Sequence, residues 1–342
     1  MPPIHTKLTE LLGIHTPIVG APMAGASGGA LAAQTTLGGG FGFIAAGYDT
    51  PENFRSQIHL ARSLLNIDEG SRLPIGVGFL GWQLEKQNSS AQELLNIVLN
   101  ENIQAVWLAF GSDLGRWTKY IHTYNEQVGQ DHRVTIFVQI SSVDEAVVAM
   151  NEWQADVIVA QGIEAGGHGA SYALPLLTLV PSILSVTPIP GPLILAAGGL
   201  ATGAHVASLL TLGAAGVVLG TRFLLSPESL YTDTQRRALI AANSESSVRT
   251  MAFDYARKTL GWPRGIDGRA LKNATVDDYE NGVDIEIIRS KFTEAVQNDD
   301  PSRMLIWAGS GVGLMHRIQP AKEIVQELHE QCVASLQTSR AL

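Results

Sequence analysis

Apolar residues along the first two-thirds of the chain fall into short runs. The stretches between them repeat their apolar positions every three or four residues. Eight runs stand out, at 17–23, 41–46, 75–80, 105–110, 134–140, 157–160, 193–197 and 216–219. Val157-Ile158-Val159-Ala160 is apolar at every position, the pattern of a strand buried on both faces. Helical periodicity fills 28–37, 51–65, 90–99, 115–128, 143–153, 172–184 and 202–212. Asp49-Thr50-Pro51-Glu52 offers an N-cap with proline at the first helical position, and Ser142-Val143-Asp144-Glu145 reads as a capping box. Ser89 and Ser90 stand in the same way ahead of Gln92-Glu93.

Strands that alternate with helices pair in parallel, because each return crossover is a helix. Eight such units predict an α/β fold, a closed (β/α)8 TIM barrel. An open doubly wound sheet is the alternative. It would call for Gly-x-Gly-x-x-Gly after the first strand and an acidic residue ~20 positions on, and that fingerprint is missing.

Past Phe223 the alternation stops. Helical patterns at 226–243, 247–260 and 285–296 surround a polar, loop-like 261–280, with turn signals at Trp262-Pro263-Arg264-Gly265 and Asp267-Gly268. A break at 298–301 and a glycine-rich 307–315 precede a final amphipathic helix over 320–336. The expected organisation is a barrel built from 1–223 and 316–342. A mostly helical insertion, 224–315, is expected to fold over the barrel mouth and line its substrate side.

Composition narrows the functional classes. With 342 residues the chain can build one large core. Its 23 basic and 32 acidic residues give a net charge of −9 with no dense Lys/Arg run, which argues against a nucleic-acid surface. A single cysteine, Cys332, excludes a disulfide framework and a cysteine metal cluster, and points to a reducing compartment, read here as the cytoplasm. Residues 170–221 carry no Lys, Arg, Asp or Glu, but Pro175, Pro181, Pro188, Pro190 and Pro192 break them up. No segment offers the ~20 continuous apolar residues of a membrane span. The nine histidines show no ligand spacing, so no metal site is expected.

The candidate chemistry centres on 156–169, where a buried strand runs into Gly162, Gly166, Gly167 and Gly169 around His168. Glycines at a strand's C-terminal end let the backbone turn sharply and approach a ligand. A lone imidazole among them suits proton transfer near neutral pH. Equally, the stretch could be a tight turn whose histidine satisfies a backbone carbonyl. In this fold ligands bind where the strands end. After the first strand, Ala21-Pro22-Met23-Ala24-Gly25 reads as irregular backbone under a flat ligand, or as barrel-plug packing by Met23. After the seventh comes Gly198-Gly199, and after the eighth Val218-Leu219-Gly220-Thr221. Both lead toward helix N-termini, where free N–H groups favour a phosphate.

Taken together, Pro22-Met23-Ala24-Gly25, Ala160-Gln161-Gly162-Ile163-Glu164-Ala165-Gly166-Gly167-His168-Gly169, Ala196-Ala197-Gly198-Gly199-Leu200 and Val218-Leu219-Gly220-Thr221-Arg222-Phe223 resemble the nitronate monooxygenases, formerly called 2-nitropropane dioxygenases. Trp307-Ala308-Gly309-Ser310-Gly311-Val312-Gly313-Leu314 is similar to that family's late Trp-Ala-Gly segment. The Glu-Ala-Gly-Gly-His core is shared with flavin-dependent enoyl-acyl-carrier-protein reductases.

The resemblance implies an FMN-binding barrel that oxidises alkyl nitronates, or nitroalkanes, with O2 to a carbonyl compound and nitrite. By matched position Gln161, Gly166 and Gly167 would hold the flavin. Gly198, Gly199, Val218, Leu219, Gly220 and Thr221 would hold its phosphate, and Ala21, Pro22 and Met23 would line the ring. His168 would be the catalytic residue, and Ala308, Gly309 and Ser310 would border the substrate. Two positions depart from the family pattern. Gly78 stands where many members have an FMN-contacting asparagine, and Ser310 where many have glutamine. The alternative activity is an FMN-dependent NAD(P)H enoyl-thioester reductase, and a flavin-carrying module with an idle His168 is a third reading. An IMP-dehydrogenase-like enzyme would need a catalytic-loop cysteine. Small-molecule substrate and O2 are the expected partners, with a homodimer left open.

Overall fold

A computed structural model describes residues 3–87 and 89–339. Its strands are β1 (Ile18–Gly20), β2 (Phe43–Ala45), β3 (Leu73–Leu80), β4 (Ile103–Ala109), β5 (Thr135–Ile140), β6 (Val157–Gln161), β7 (Gly167–Ala170), β8 (Leu193–Ala197), β9 (Gly216–Leu219), β10 (Ser247–Thr250) and β11 (Ile266–Leu271). Eight form one parallel sheet in the order β1-β9-β8-β6-β5-β4-β3-β2. A bridge between Val19 and Phe41 joins its two edges, with Gly20 N–H donating to Phe41 O at 2.9 Å and Phe41 N–H to Ile18 O at 2.9 Å. The sheet is thereby a nearly closed barrel, as the alternation predicts.

The two-faced burial of these strands follows from the runs themselves. Along β6, Val157 and Val159 join a core with Val19, Phe41, Trp107, Phe137 and Leu195, whereas Ile158 and Ala160 join a second core with Val77, Leu108, Ile136 and Ile194. The first lies inside the barrel and the second between barrel and helices. Inside, Phe137 stacks on Phe41 at 6.5 Å and on Trp107 at 6.0 Å, with Phe43 edge-on at 5.2 Å. The N-terminal helix Lys7–Leu12, capped reciprocally by Thr6 and Thr9, sends Leu8 and Leu12 into this interior. A Cβ at Gly216, the first residue of β9, would stand 2.4 Å from Leu8. The helix therefore plugs the strands' N-terminal end and leaves the other end for ligands.

Several helices begin where their caps predict. Thr50 accepts from Asn53 N–H ahead of Pro51–Leu65, and Ser142 accepts from Glu145 N–H ahead of Val143–Asn151. The final helix, Ala321–Ser339, packs against the barrel helices Gly203–Thr211 and Gly29–Leu37. No described helix is long and apolar enough to cross a membrane.

Residues 224–315 differ from the helical expectation. Residues 247–260, predicted as one helix, are β10 followed by the helix Ala252–Arg257. The predicted loop 261–280 contains β11 and the helix Ala274–Glu280. The glycine-rich 167–170, also expected as loop, is β7, and it pairs antiparallel with β11 in the order β10-β11-β7. These strands are too short and too polar or glycine-rich to show a strand period. Beside the ladder pairing, arginines tie them to the turn. Arg249 on β10 pairs with Asp267 on β11 and donates to Gly169 O at 2.7 Å, while Arg269 donates to Ile163 O at 3.2 Å. The helix expected over 226–243 is confined to Asp233–Ala241, where Thr232 and Gln235 form the capping box.

Candidate active site

The rim at the strands' C-terminal ends encloses a cleft of about 1160 Å³, counting the part open to solvent. Strand-end residues line it together with residues from 224–315, including Tyr231, Arg257, Trp262 and Trp307.

Most residues singled out in the sequence converge here. Ala21, Pro22 and Met23 leave β1 in a tight turn, in which Met23 N–H donates to Ser27 Oγ at 2.7 Å and Met23 O accepts from Ala26 N–H at 2.9 Å. From the β6 turn come Gln161, Gly166, Gly167 and His168. Gly198 and Gly199 reach the cleft from β8, and Val218, Gly220 and Thr221 from β9. Gly309 enters from the 307–315 segment. Gly199 has φ +68°, in the left-handed region, and a Cβ there would stand 2.8 Å from Glu164 Cβ. At Gly166 the constraint is close approach, since a Cβ would stand 2.3 Å from Gly309 N. Gly309 N–H in turn donates to Thr221 Oγ1 at 3.0 Å, so that hydroxyl keeps its own proton to donate.

Four expected residues lie elsewhere. Leu219 belongs to the core outside the barrel, because strand alternation turns its side chain opposite to Val218. Ala308 is fully buried in a core that joins Leu224 and Ile306 to Ala26 and Ala201 of the barrel. Ser310 packs on the β6 and β8 turns, its N–H donating to Glu164 O at 3.0 Å, and its Oγ would touch a Cβ on Gly199 at 3.1 Å. Gly78 faces a small adjoining cavity with Pro22 and Gln139, and a Cβ on it would stand 2.3 Å from Pro22 Cβ. The Pro22 ring thus fills the volume a larger side chain would need. Glu164 anchors the turn, accepting Leu176 N–H at 3.0 and 3.1 Å and so capping the helix Leu176–Val186.

His168 projects from β7 and is nearly buried. Its Nε2 lies 3.0 Å from both carboxylate oxygens of Asp254, which is completely buried. Thr259 Oγ1 and Trp262 Nε1 donate to the same carboxylate at 2.8 and 3.0 Å. Burial pushes the Asp254 carboxyl up, but donation from His168, Thr259 and Trp262 outweighs it and holds the group below the usual carboxylate range. An ionised carboxylate only accepts, so Nε2 carries a proton and Nδ1 is the nitrogen without a protein partner among the described residues. The Trp262 ring stacks on the imidazole at 3.6 Å with a 14° tilt, and Trp307 meets it edge-on at 4.9 Å. Of the two readings of the 156–169 turn, the geometry favours a constrained imidazole at the rim.

Asp254 and Trp262 were invisible in the sequence as site residues. Asp254 lies 86 positions from His168 in a stretch that reads as ordinary helix, and Trp262 in a turn signal. No three His, Cys, Asp or Glu side chains converge as metal ligands among the described residues.

Known proteins agree with this architecture. The FabK structure from Thermotoga maritima superimposes with a TM-score of 0.79 at 24% identity, covering 99% of both chains. A structure of nitroalkane oxidase from Streptomyces ansochromogenes gives 0.78 at 24% identity, covering 97% of this chain and 99% of that one. At those identities the likeness is one of fold. In sequence, a nitronate monooxygenase of Neurospora crassa is 33% identical over 335 residues, covering 92% of this chain and 88% of the relative. Nitronate monooxygenase npaC of Metarhizium robertsii is 33% identical over 338 residues, covering 93% of this chain and 91% of the relative. The nitronate monooxygenase family model matches residues 5–331, so the chain belongs to the nitronate monooxygenase family and is an oxidoreductase.

Proposed function

We propose that the cleft holds FMN and that the chain oxidises alkyl nitronates, and nitroalkanes after deprotonation, with O2 to a carbonyl compound and nitrite. The observation that carries the reading is the imidazole of His168, fixed by a buried carboxylate at the rim of a cleft into which the β1, β6, β8 and β9 turns all open.

The residues present fit a flavin mononucleotide. The Gly198-Gly199 and Gly220-Thr221 turns offer backbone N–H groups and one hydroxyl proton to a phosphate. Met23, Trp107 and Phe110 give apolar walls for a flat ring, and Gln161 Oε1 and Gln139 Nε2 are buried polar atoms without a protein partner. Bound FMN would supply the electron acceptor and the route to O2.

The chain's own residues handle protons and position. Asp254 holds Nε2–H, which leaves Nδ1 with its lone pair to take the α-proton of a neutral nitroalkane. For a nitronate anion no proton need be removed, and the protonated imidazole would instead orient the charged oxygens. Trp262 and Trp307 enclose the imidazole and limit water around it.

The test is anaerobic. The FMN-loaded protein is mixed with an alkyl nitronate and, separately, with NADPH, while the visible flavin spectrum is recorded. A change with the nitronate and none with NADPH is expected; bleaching by NADPH alone would instead assign the enoyl-thioester reductase activity. His168→Asn should keep FMN bound while turnover of neutral nitroalkanes falls on the order of 10²-fold or more. Undiminished turnover would remove the base assignment.

A further inference from the structure

Gln139 sits where a barrel interior is normally apolar. Along β5, Phe137 and Gln139 share the inward face, and Phe137 belongs to the stacked aromatic layer with Trp107. Gln139 stands one step nearer the mouth and lines both the main cleft and the small cavity beside it. Its Nε2 is buried and has no acceptor. A leucine there would fill similar space without stranding an amide, so the carboxamide is a costly choice for packing alone.

Its surroundings indicate what it awaits. On the next strand, Gln161 is the following inward residue beyond Val159, the register partner of Gln139. Gln161 donates Nε2–H to His168 O at 3.2 Å and leaves Oε1 buried and unpartnered. Gln139 thus brings an unmet donor to a cleft that Gln161 also lines, while the unpartnered Gln161 Oε1 lies against Gly169. On the other side of the small cavity Gly78 has no side chain, and the Pro22 ring occupies the volume beside it. That flank of the rim therefore offers no polar side chain of its own.

We propose that Gln139 is a cofactor-holding residue, its carboxamide hydrogen-bonding the imide edge of the flavin ring beside Gln161. That edge carries carbonyl acceptors next to an N–H donor, the complement of a primary amide. The inference rests on the FMN reading above and assigns to Gln139 the contact that Gly78 does not supply.

Apoprotein titrated with FMN, followed by quenching of flavin fluorescence, tests it. Wild type is expected to bind FMN, and failure to do so would overturn the FMN reading itself, and with it this one. Given wild-type binding, Gln139→Leu should raise the FMN Kd at least tenfold. The melting temperature of its apoprotein should stay level or rise, because the stranded amide is gone. Gly78→Asn should not restore affinity in Gln139→Leu, since its Cβ collides with Pro22. An FMN Kd within twofold of wild type, including the case in which only the KM for nitronate rises, would overturn the assignment. If Gln139→Leu does not fold, Gln139→Met, also unbranched at Cβ and free of the amide, gives the same readout with the same two outcomes.

Discussion

At the scale of single residues, the arrangement turns on one buried carboxylate. Asp254 collects N–H and O–H donors from His168, Thr259 and Trp262, so its removal strands several of them at once. Asp254→Asn keeps the shape but turns an amide toward donors that require an acceptor. The Nε2–H tautomer of His168 then loses its reason to prevail, and with it the basic Nδ1. Turnover of neutral nitroalkanes should fall on the order of 10²-fold, within what a positioned general base contributes. Turnover of preformed nitronates, which need no proton removed, should fall much less, and FMN affinity should hold. Steady-state kinetics on a nitroalkane and its nitronate side by side check this. An equal loss on both, with FMN affinity lost as well, would mean that Asp254 supports only the fold. Trp262→Phe separates the two functions of that ring, keeping the stack on His168 while deleting the Nε1–H donated to Asp254. It should cost about 1.5–3 kcal/mol of stability in denaturant unfolding, the net worth of one hydrogen bond to a charged group, and retain most nitroalkane activity.

At the scale of elements, the site is a junction of the β6 turn with β11 and the 307–309 segment. Gly166 lies against the backbone of Ala308 and Gly309, and β7 pairs with β11 so that His168 faces Gly268 in register. Backbone cannot rotate aside as a side chain can, so Gly166→Ala should push the 307–309 segment away from the rim. Weaker FMN binding and a lower melting temperature are expected, measured by flavin titration and thermal unfolding. Wild-type values in both would show that the junction yields without cost. The same junction explains what was legible in the sequence. The barrel strands could be read because burial on both faces makes them continuous apolar runs, and 193–197 and 216–219 coincide with β8 and β9. The strands β7, β10 and β11 could not, since Gly167-His168-Gly169-Ala170 and Ser247-Val248-Arg249-Thr250 lack any apolar period and form through cross-strand contacts and arginine bonds. The glycine turns announced the cleft by local composition. The carboxylate behind His168 is a contact across 86 positions, and local composition carries no trace of it.

At the scale of the whole molecule, ionisable groups coupled to the fold set the pH range in which it survives. Asp254 has its folded-state carboxyl below the usual range, with burial opposing and the His168, Thr259 and Trp262 donors prevailing. Partly buried Asp278 is also depressed, by the Arg303 and Lys291 hydrogen bonds, though solvent screening makes its share small. A depressed folded pKa contributes stability that is present above the unfolded value, about 3.9 for Asp. That contribution fades as pH falls through the folded value. The alkaline side has the opposite sign. Burial pushes the Cys332 thiol up to about 11. Burial also raises Tyr231, whose hydroxyl accepts Trp307 N–H at 2.9 Å. These groups are neutral when protonated, so their burial is harmless below their unfolded values, roughly 8.5 for Cys and 10 for Tyr. Above those values the unfolded chain releases protons that the folded chain retains, and stability declines. Urea unfolding measured from pH 3 to 11 should therefore give a plateau bounded by an acid limb below about pH 4 and an alkaline limb beginning near pH 8.5. Cys332→Ala should move the onset of the alkaline limb toward pH 10, where tyrosine ionisation begins. If the onset stays near pH 8.5 in that variant, the buried thiol is not what couples the fold to base.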